Sequence, residues 1–110
     1  MTRQEVEEAI EKRESLAGAD LSGLDLSGLN MAFMDLTAAN LKGANLRKAL
    51  MFRANLQGAD LTEGDLTGAN LQGADLTGAL VHLTPENMKA LVRAGIFDPS
   101  KIANGEEVEG

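Results

Sequence analysis

From Glu14 to Leu83 the sequence repeats every five residues without insertion or deletion. Ala-Asp-Leu-Ser-Gly stands at 19–23, Ala-Asn-Leu-Lys-Gly at 39–43, Ala-Asn-Leu-Gln-Gly at 54–58 and 69–73, and Ala-Asp-Leu-Thr-Gly at 74–78. Fourteen pentads fit this register, centred on Leu16, Leu21, Leu26 and onward to Val81, with Met31 and Met51 in place of leucine. Neither a helix of period 3.6 nor a strand of period 2 keeps every fifth residue on one side. A chain that turns a square corner every five residues does. Four pentads then close one coil of 20 residues, and successive coils stack as a solenoid.

One large residue per side already fills the middle of such a coil. The residue two places before each centre must also point inward, so it must be small. Alanine holds that place at 19, 39, 44, 49, 54, 59, 69, 74 and 79. Glycine at the fifth place, as at 18, 23 and 28, suits a repeated tight turn. The scarcity of aromatics (Phe33, Phe52 and Phe97 only) agrees with a core built from repeated leucine contacts.

With these residues in place, the array resembles the pentapeptide-repeat family, whose motif is small–Asp/Asn–Leu/Phe–Ser/Thr–any, often Gly. The resemblance implies an all-β solenoid, a right-handed quadrilateral parallel β-helix. Fourteen pentads make about 3.5 coils, a stack about 17 Å tall at ~4.8 Å per coil. Residues 20 apart then lie above one another, and the polar column before the centre alternates: Asp20, Asn40, Asp60; Asp25, Asn45, Asp65; Asp35, Asn55, Asp75. Interposed asparagine keeps carboxylates from stacking directly, so charge spacing explains these aspartates without metal binding or catalysis.

Departures from the motif point elsewhere. Leu24, Leu29 and Met34 replace the small residue in the first coil and read as a hydrophobic lid region. Leu50 stands where Asp or Asn is expected, Phe52 takes an outward place, and Phe33 stacks near Arg53. Lys42, Arg47, Lys48 and Arg53 hold all the basic charge of the array. Apolar residues beside positive charge on an acidic solenoid make Phe33, Lys42, Arg47, Lys48, Leu50, Phe52 and Arg53 the candidate interaction face.

Both ends carry helical patterns. Over residues 2–13, Thr2 and Glu5 form a capping box, and Val6, Ala9 and Ile10 share one face. After the array, Thr84-Pro85 starts a second helix and Gly95 stops it, with Ile96 folding back on Leu91. A helix and irregular segment thus fill 84–103, and 104–110 is an acidic, disordered tail. Exposed solenoid edges invite assembly unless capped. In the family a C-terminal helix often mediates dimers, so Met88, Leu91, Val92 and Phe97 are candidates for capping or for dimer contact. Capping of a monomer is the favoured reading, with a homodimer through this helix as the alternative.

The net charge of −7 is spread as −1, −4 and −2 over residues 1–13, 14–83 and 84–110, which disfavours direct nucleic-acid binding. There is no cysteine, no signal-peptide pattern and no membrane-spanning apolar run, so a cytoplasmic location is expected and membrane association is not. His82, the one histidine, takes an outward place with no partner identifiable by spacing. No nucleophile–base pair, metal set or phosphate-binding loop is recognisable, so no enzyme activity, cofactor or metal is expected. The expected function is a non-catalytic interaction or scaffold module for an unidentified protein partner. The family resemblance adds the alternative of a DNA mimic acting on an enzyme such as DNA gyrase. The short stack, spanning about five base pairs, weighs against that alternative.

Overall fold

The computed structural model describes residues 1–97. In it the corner every five residues is a hydrogen-bonded turn. The carbonyl of each central residue from Leu16 to Leu76 accepts the N–H three residues on, as in Ala19 N to Leu16 O (3.1 Å) and Ala79 N to Leu76 O (2.9 Å). The second residue inside each turn has φ between +57° and +72°, which is why glycine dominates there. Phe33, Ala38, Lys48, Arg53 and Glu63 adopt the same left-handed conformation at five of the corners.

Successive coils pair in parallel. Asp20 bridges to Asn40 and Asn40 to Asp60. The two-residue strands β1 (Asp60–Leu61) and β2 (Leu80–Val81) carry that column on, pairing Asp60 with Leu80. The columns 25/45/65, 30/50/70 and 35/55/75 follow the same register, so the coil has four sides. The first side begins at 14, the second at 19, the third at 24 and the fourth at 29, and each recurs 20 residues later. The ladder is regular: Leu21 N donates to Asn40 O (2.7 Å) and Asn40 N to Ala19 O (2.9 Å).

Every central residue from Leu16 to Val81 is buried, and most have no accessible surface. Leucine thus stacks on leucine up the inside of each side, with Met31 and Met51 on the fourth. Burying one such side chain contributes roughly 1.5–3 kcal/mol.

Helix α1 (Arg3–Lys12) has the capping box expected of it: Thr2 Oγ1 accepts from Glu5 N at 3.2 Å, and Glu5 Oε1 from Thr2 N at 3.0 Å. Its Val6 and Ala9 are buried, and Ile10 packs partly buried against the same core as Leu24 and Leu29. Arg3 Nη1 donates to the exposed-edge carbonyls of Asp25 (3.0 Å) and Ser27 (3.1 Å) on the third side.

Helix α2 (Pro85–Arg93) starts at Thr84, whose hydroxyl accepts from Asn87 N. It ends in a Schellman motif, with Gly95 at φ +72° and Ile96 N on Leu91 O at 3.0 Å. Asn87 is the one fully buried polar side chain among the described residues. Its Oδ1 accepts from Leu66 N (2.7 Å), and its Nδ2 donates to Gly64 O (2.9 Å) and His82 O (2.8 Å). One coil earlier the backbone of a single residue does this work: Leu46 N donates to Asp65 O and Asp65 N to Ala44 O. Twenty residues beyond Asp65 stands Pro85, which has no N–H to give Gly64. The Asn87 carboxamide therefore takes the place of the backbone N–H and C=O of the residue that a further coil would supply.

The remainder of the 84–103 segment beyond Phe97, with the 104–110 tail, lies outside the described residues.

Candidate interaction face

The regular surface is shaped by the polar residue before each centre. Asp20 Oδ1 accepts both Ser22 N (3.1 Å) and Ser22 Oγ (2.6 Å), and Asp60 does the same with Thr62. Asparagine makes the backbone half of this arrangement, as in Lys42 N to Asn40 Oδ1 at 3.1 Å. The aspartates are therefore turn acceptors as well as spaced charges, a role the column pattern alone did not disclose. These bonds hold Asp20, Asp25, Asp35, Asp60, Asp65 and Asp75 below the ordinary carboxylate range. The Ser or Thr hydroxyl is the leading cause, and the backbone N–H of the same residue is second. Such groups stay ionised and are poor proton donors. Among the described residues no three His, Cys, Asp or Glu side chains cluster as a metal site, and His82 is exposed.

The fourth side breaks this scheme. Leu50 sits between Asn30 and Asn70 in the polar column and is 38% exposed. Having no acceptor, it leaves the Phe52 N–H without the side-chain bond that the other turns make. Phe33, at φ +63°, is 67% exposed. Its ring meets Phe52 edge-on, with centroids 5.6 Å apart and planes at 85°. Beside this pair a groove of about 660 Å³ runs to the end of α1, lined by Ile10, Arg13, Met31, Met34 and Asp35 among others.

The seven residues of the candidate face do not form one surface. Phe33, Leu50, Phe52 and Arg53 come together on the fourth side, and Lys48 stands at the corner where that side begins. Arg47 lies on the third side, with its Nε 3.7 Å from Asp65 Oδ2. Lys42 lies on the second side, opposite the aromatic pair. The physical reason is the corner itself: residues five apart face directions about a right angle apart, so a cluster in sequence wraps around the coil.

At the other end, Leu91 and Phe97 are buried in the core and Met88 packs partly buried against it, whereas Val92 is 45% exposed. Asn87 was not singled out by sequence. The available signal was a lone amide three residues after Thr84, at the point where the array stops.

Comparison with known proteins places these features. The family model for pentapeptide repeats matches in eight copies over residues 15–53 and 49–80. Among solved structures, the pentapeptide repeat protein Rfr23 from the cyanobacterium Cyanothece 51142 is 33% identical with a TM-score of 0.54, over 64% of this chain and 51% of that one. HetL is described as a pentapeptide repeat protein involved in heterocyst differentiation regulation, from the cyanobacterium Nostoc sp. strain PCC 7120. It is 33% identical with a TM-score of 0.51, over 57% of this chain and 34% of that one. The present chain thus spans about half the length of the first and a third of the second. No curated protein matches it. With 15–80 matched and the four-sided register in place, the chain belongs to the pentapeptide-repeat family, and its coil is the right-handed quadrilateral β-helix of that family.

Proposed function

We propose that this chain is a non-catalytic interaction module whose β-helix holds the fourth side rigid for another protein. The observation that carries this reading is the Phe33–Phe52 pair: Phe33 is 67% exposed on a left-handed corner where glycine is the easier choice. Exposed aromatic surface next to Leu50 is the kind of patch that marks a protein contact. A framework already fixed by turns and ladders loses little conformational entropy on binding. Among the described residues the coil interior is lined by buried leucine, methionine and alanine side chains. In this reading α1 and α2 cap a stack of three and a half coils, and the module works as a monomer. A regulatory partner fits the description of HetL, a longer relative involved in regulation. Affinity capture from the native cell tests the face. Phe52→Asp is expected to abolish recovery of the partner while the folded β-helix is retained by circular dichroism. Unchanged recovery with that variant excludes the fourth side.

A further inference from the structure

The fourth side differs from the others in charge as well as hydrophobicity. Each of the first three sides carries two aspartates in its polar column: Asp35 and Asp75, Asp20 and Asp60, Asp25 and Asp65. Residues 28–33, 48–53 and 68–73, which make up the fourth side and its corners, include no acidic residue. On a chain of net charge −7 this is the one acid-free side of the coil.

Cations frame it. Lys48 and Arg53 occupy its two corners on the middle coil, and both are exposed. The corner residues one coil on are Gly68 and Gly73. A Cβ there would lie 3.3 Å from Lys48 Cγ and 3.0 Å from Arg53 Cγ. The two stems therefore lie along the corners in space that side chains would otherwise fill. Among the described residues neither cation makes an ion pair, whereas Arg47, one residue before Lys48, is turned to Asp65. Arg13 stands at the groove beyond Phe33, and Arg93 lies beside Gln72 at the opposite end. Two carboxylates, Glu14 and Asp35, line the groove at the edge shared with the first side.

From this arrangement we infer that the fourth side takes an acidic segment of another protein. A large apolar residue of that segment seats on Phe33, Leu50 and Phe52, and its flanking carboxylates reach Lys48 and Arg53. The inference rests on the reading of the fourth side as the interaction face and adds the partner's chemistry. An acidic segment is repelled by three sides and admitted by one, so the same charges that attract it also orient it. A basic segment would be drawn to the aspartate columns instead. Arg53 can grip a carboxylate through two parallel hydrogen bonds, which favours a carboxylate there over a neutral amide.

The test is an NMR titration of the ¹⁵N-labelled chain with two synthetic peptides of equal length. Each has a Leu-Phe centre; one has glutamate flanks and the other lysine flanks. The glutamate peptide is expected to shift the amides of residues 48–53 and of Phe33, and to weaken as salt is raised. Lys48→Glu with Arg53→Glu is expected to weaken it by about tenfold or more and to strengthen the lysine peptide. Equal binding of the two peptides, no shift with the glutamate peptide, or indifference to the double charge reversal overturns the inference. If Phe52→Asp still abolishes partner capture in those cases, the interaction face stands and only the partner chemistry falls. Vesicles containing phosphatidylserine are the remaining arm: a stronger response to them than to the glutamate peptide assigns the cations to a lipid surface and overturns the inference.

Discussion

Phe33 and Ala38 occupy the same kind of corner, yet they pose opposite questions. Both hold φ near +60°, where a side chain costs roughly 1–2 kcal/mol. Ala38→Gly relieves that cost and breaks no described side-chain contact, but glycine gives back part of the gain through the unfolded chain, about 0.5–1 kcal/mol. A net stabilisation of about 0.5 kcal/mol is expected in a denaturant titration, and a loss of stability would show that the corner is not strained. Phe33→Gly relieves the same strain and also removes the edge-on contact with Phe52, worth about 0.5–1.5 kcal/mol. Its stability should stay close to that of the parent while partner capture is lost. The aspartates give a pH prediction. Their folded pKa values lie below the unfolded value of about 3.9, so the stability they contribute is complete above that value and is lost as pH falls through the folded values. Thr62→Val removes the leading cause at Asp60. It should therefore destabilise more at pH 7 than near pH 2, and equal losses at both would remove the hydroxyl–carboxylate bond as the cause. The Asp/Asn positions were legible as spaced charge, but their hydrogen-bonding role was not. It depends on the turn bringing the N–H two residues on back to the carboxylate, which a linear pattern does not display.

The two helices illustrate what element-level patterning reveals and what it conceals. Thr2, Glu5, Thr84, Pro85 and Gly95 carry local capping chemistry, so both helices could be read from the sequence to within their cap residues. Asn87 could not, because two of its three partners lie 21 to 23 residues back, at Leu66 and Gly64, and only the stacked coil brings them under α2. Asn87→Leu keeps the branched shape of the side chain but strips an acceptor from Leu66 N–H and a donor from two carbonyls. With buried unsatisfied groups costing about 1–3 kcal/mol each, a loss of about 3 kcal/mol is expected in chemical denaturation. Arg3 meets the opposite edge of the same side, but its side chain is only half-buried there. Arg3→Met should cost under about 1 kcal/mol. A loss at Arg3 equal to that at Asn87 would contradict the idea that burial sets the difference. Leu24 and Leu29, the large residues of the first coil, pack partly buried against the same core as Val6, Ala9 and Ile10.

At the scale of the whole molecule, the question is whether the ends or the sides meet other chains. Leu91 and Phe97 are spent on the core, and the third-side edges are occupied by Arg3 and Asn87 side chains in place of a further coil. Val92 alone among the four C-terminal candidates is strongly exposed, at 45%. One exposed valine is a small area beside the roughly 800 Å² per partner that a stable interface buries. Self-association also brings together two chains of charge −7. Light scattering is therefore expected to give a mass near 11.6 kDa. Val92→Asp should change neither that mass nor the stability by more than about 0.5 kcal/mol. A mass twice as large that Val92→Asp halves would move the C-terminal helix from capping to dimerisation. The fourth side would then be one of two working surfaces. If the double mass instead survives Val92→Asp but is lost in Phe52→Asp, the second copy is itself an occupant of the fourth side, and the partner sought by affinity capture is another copy of this chain.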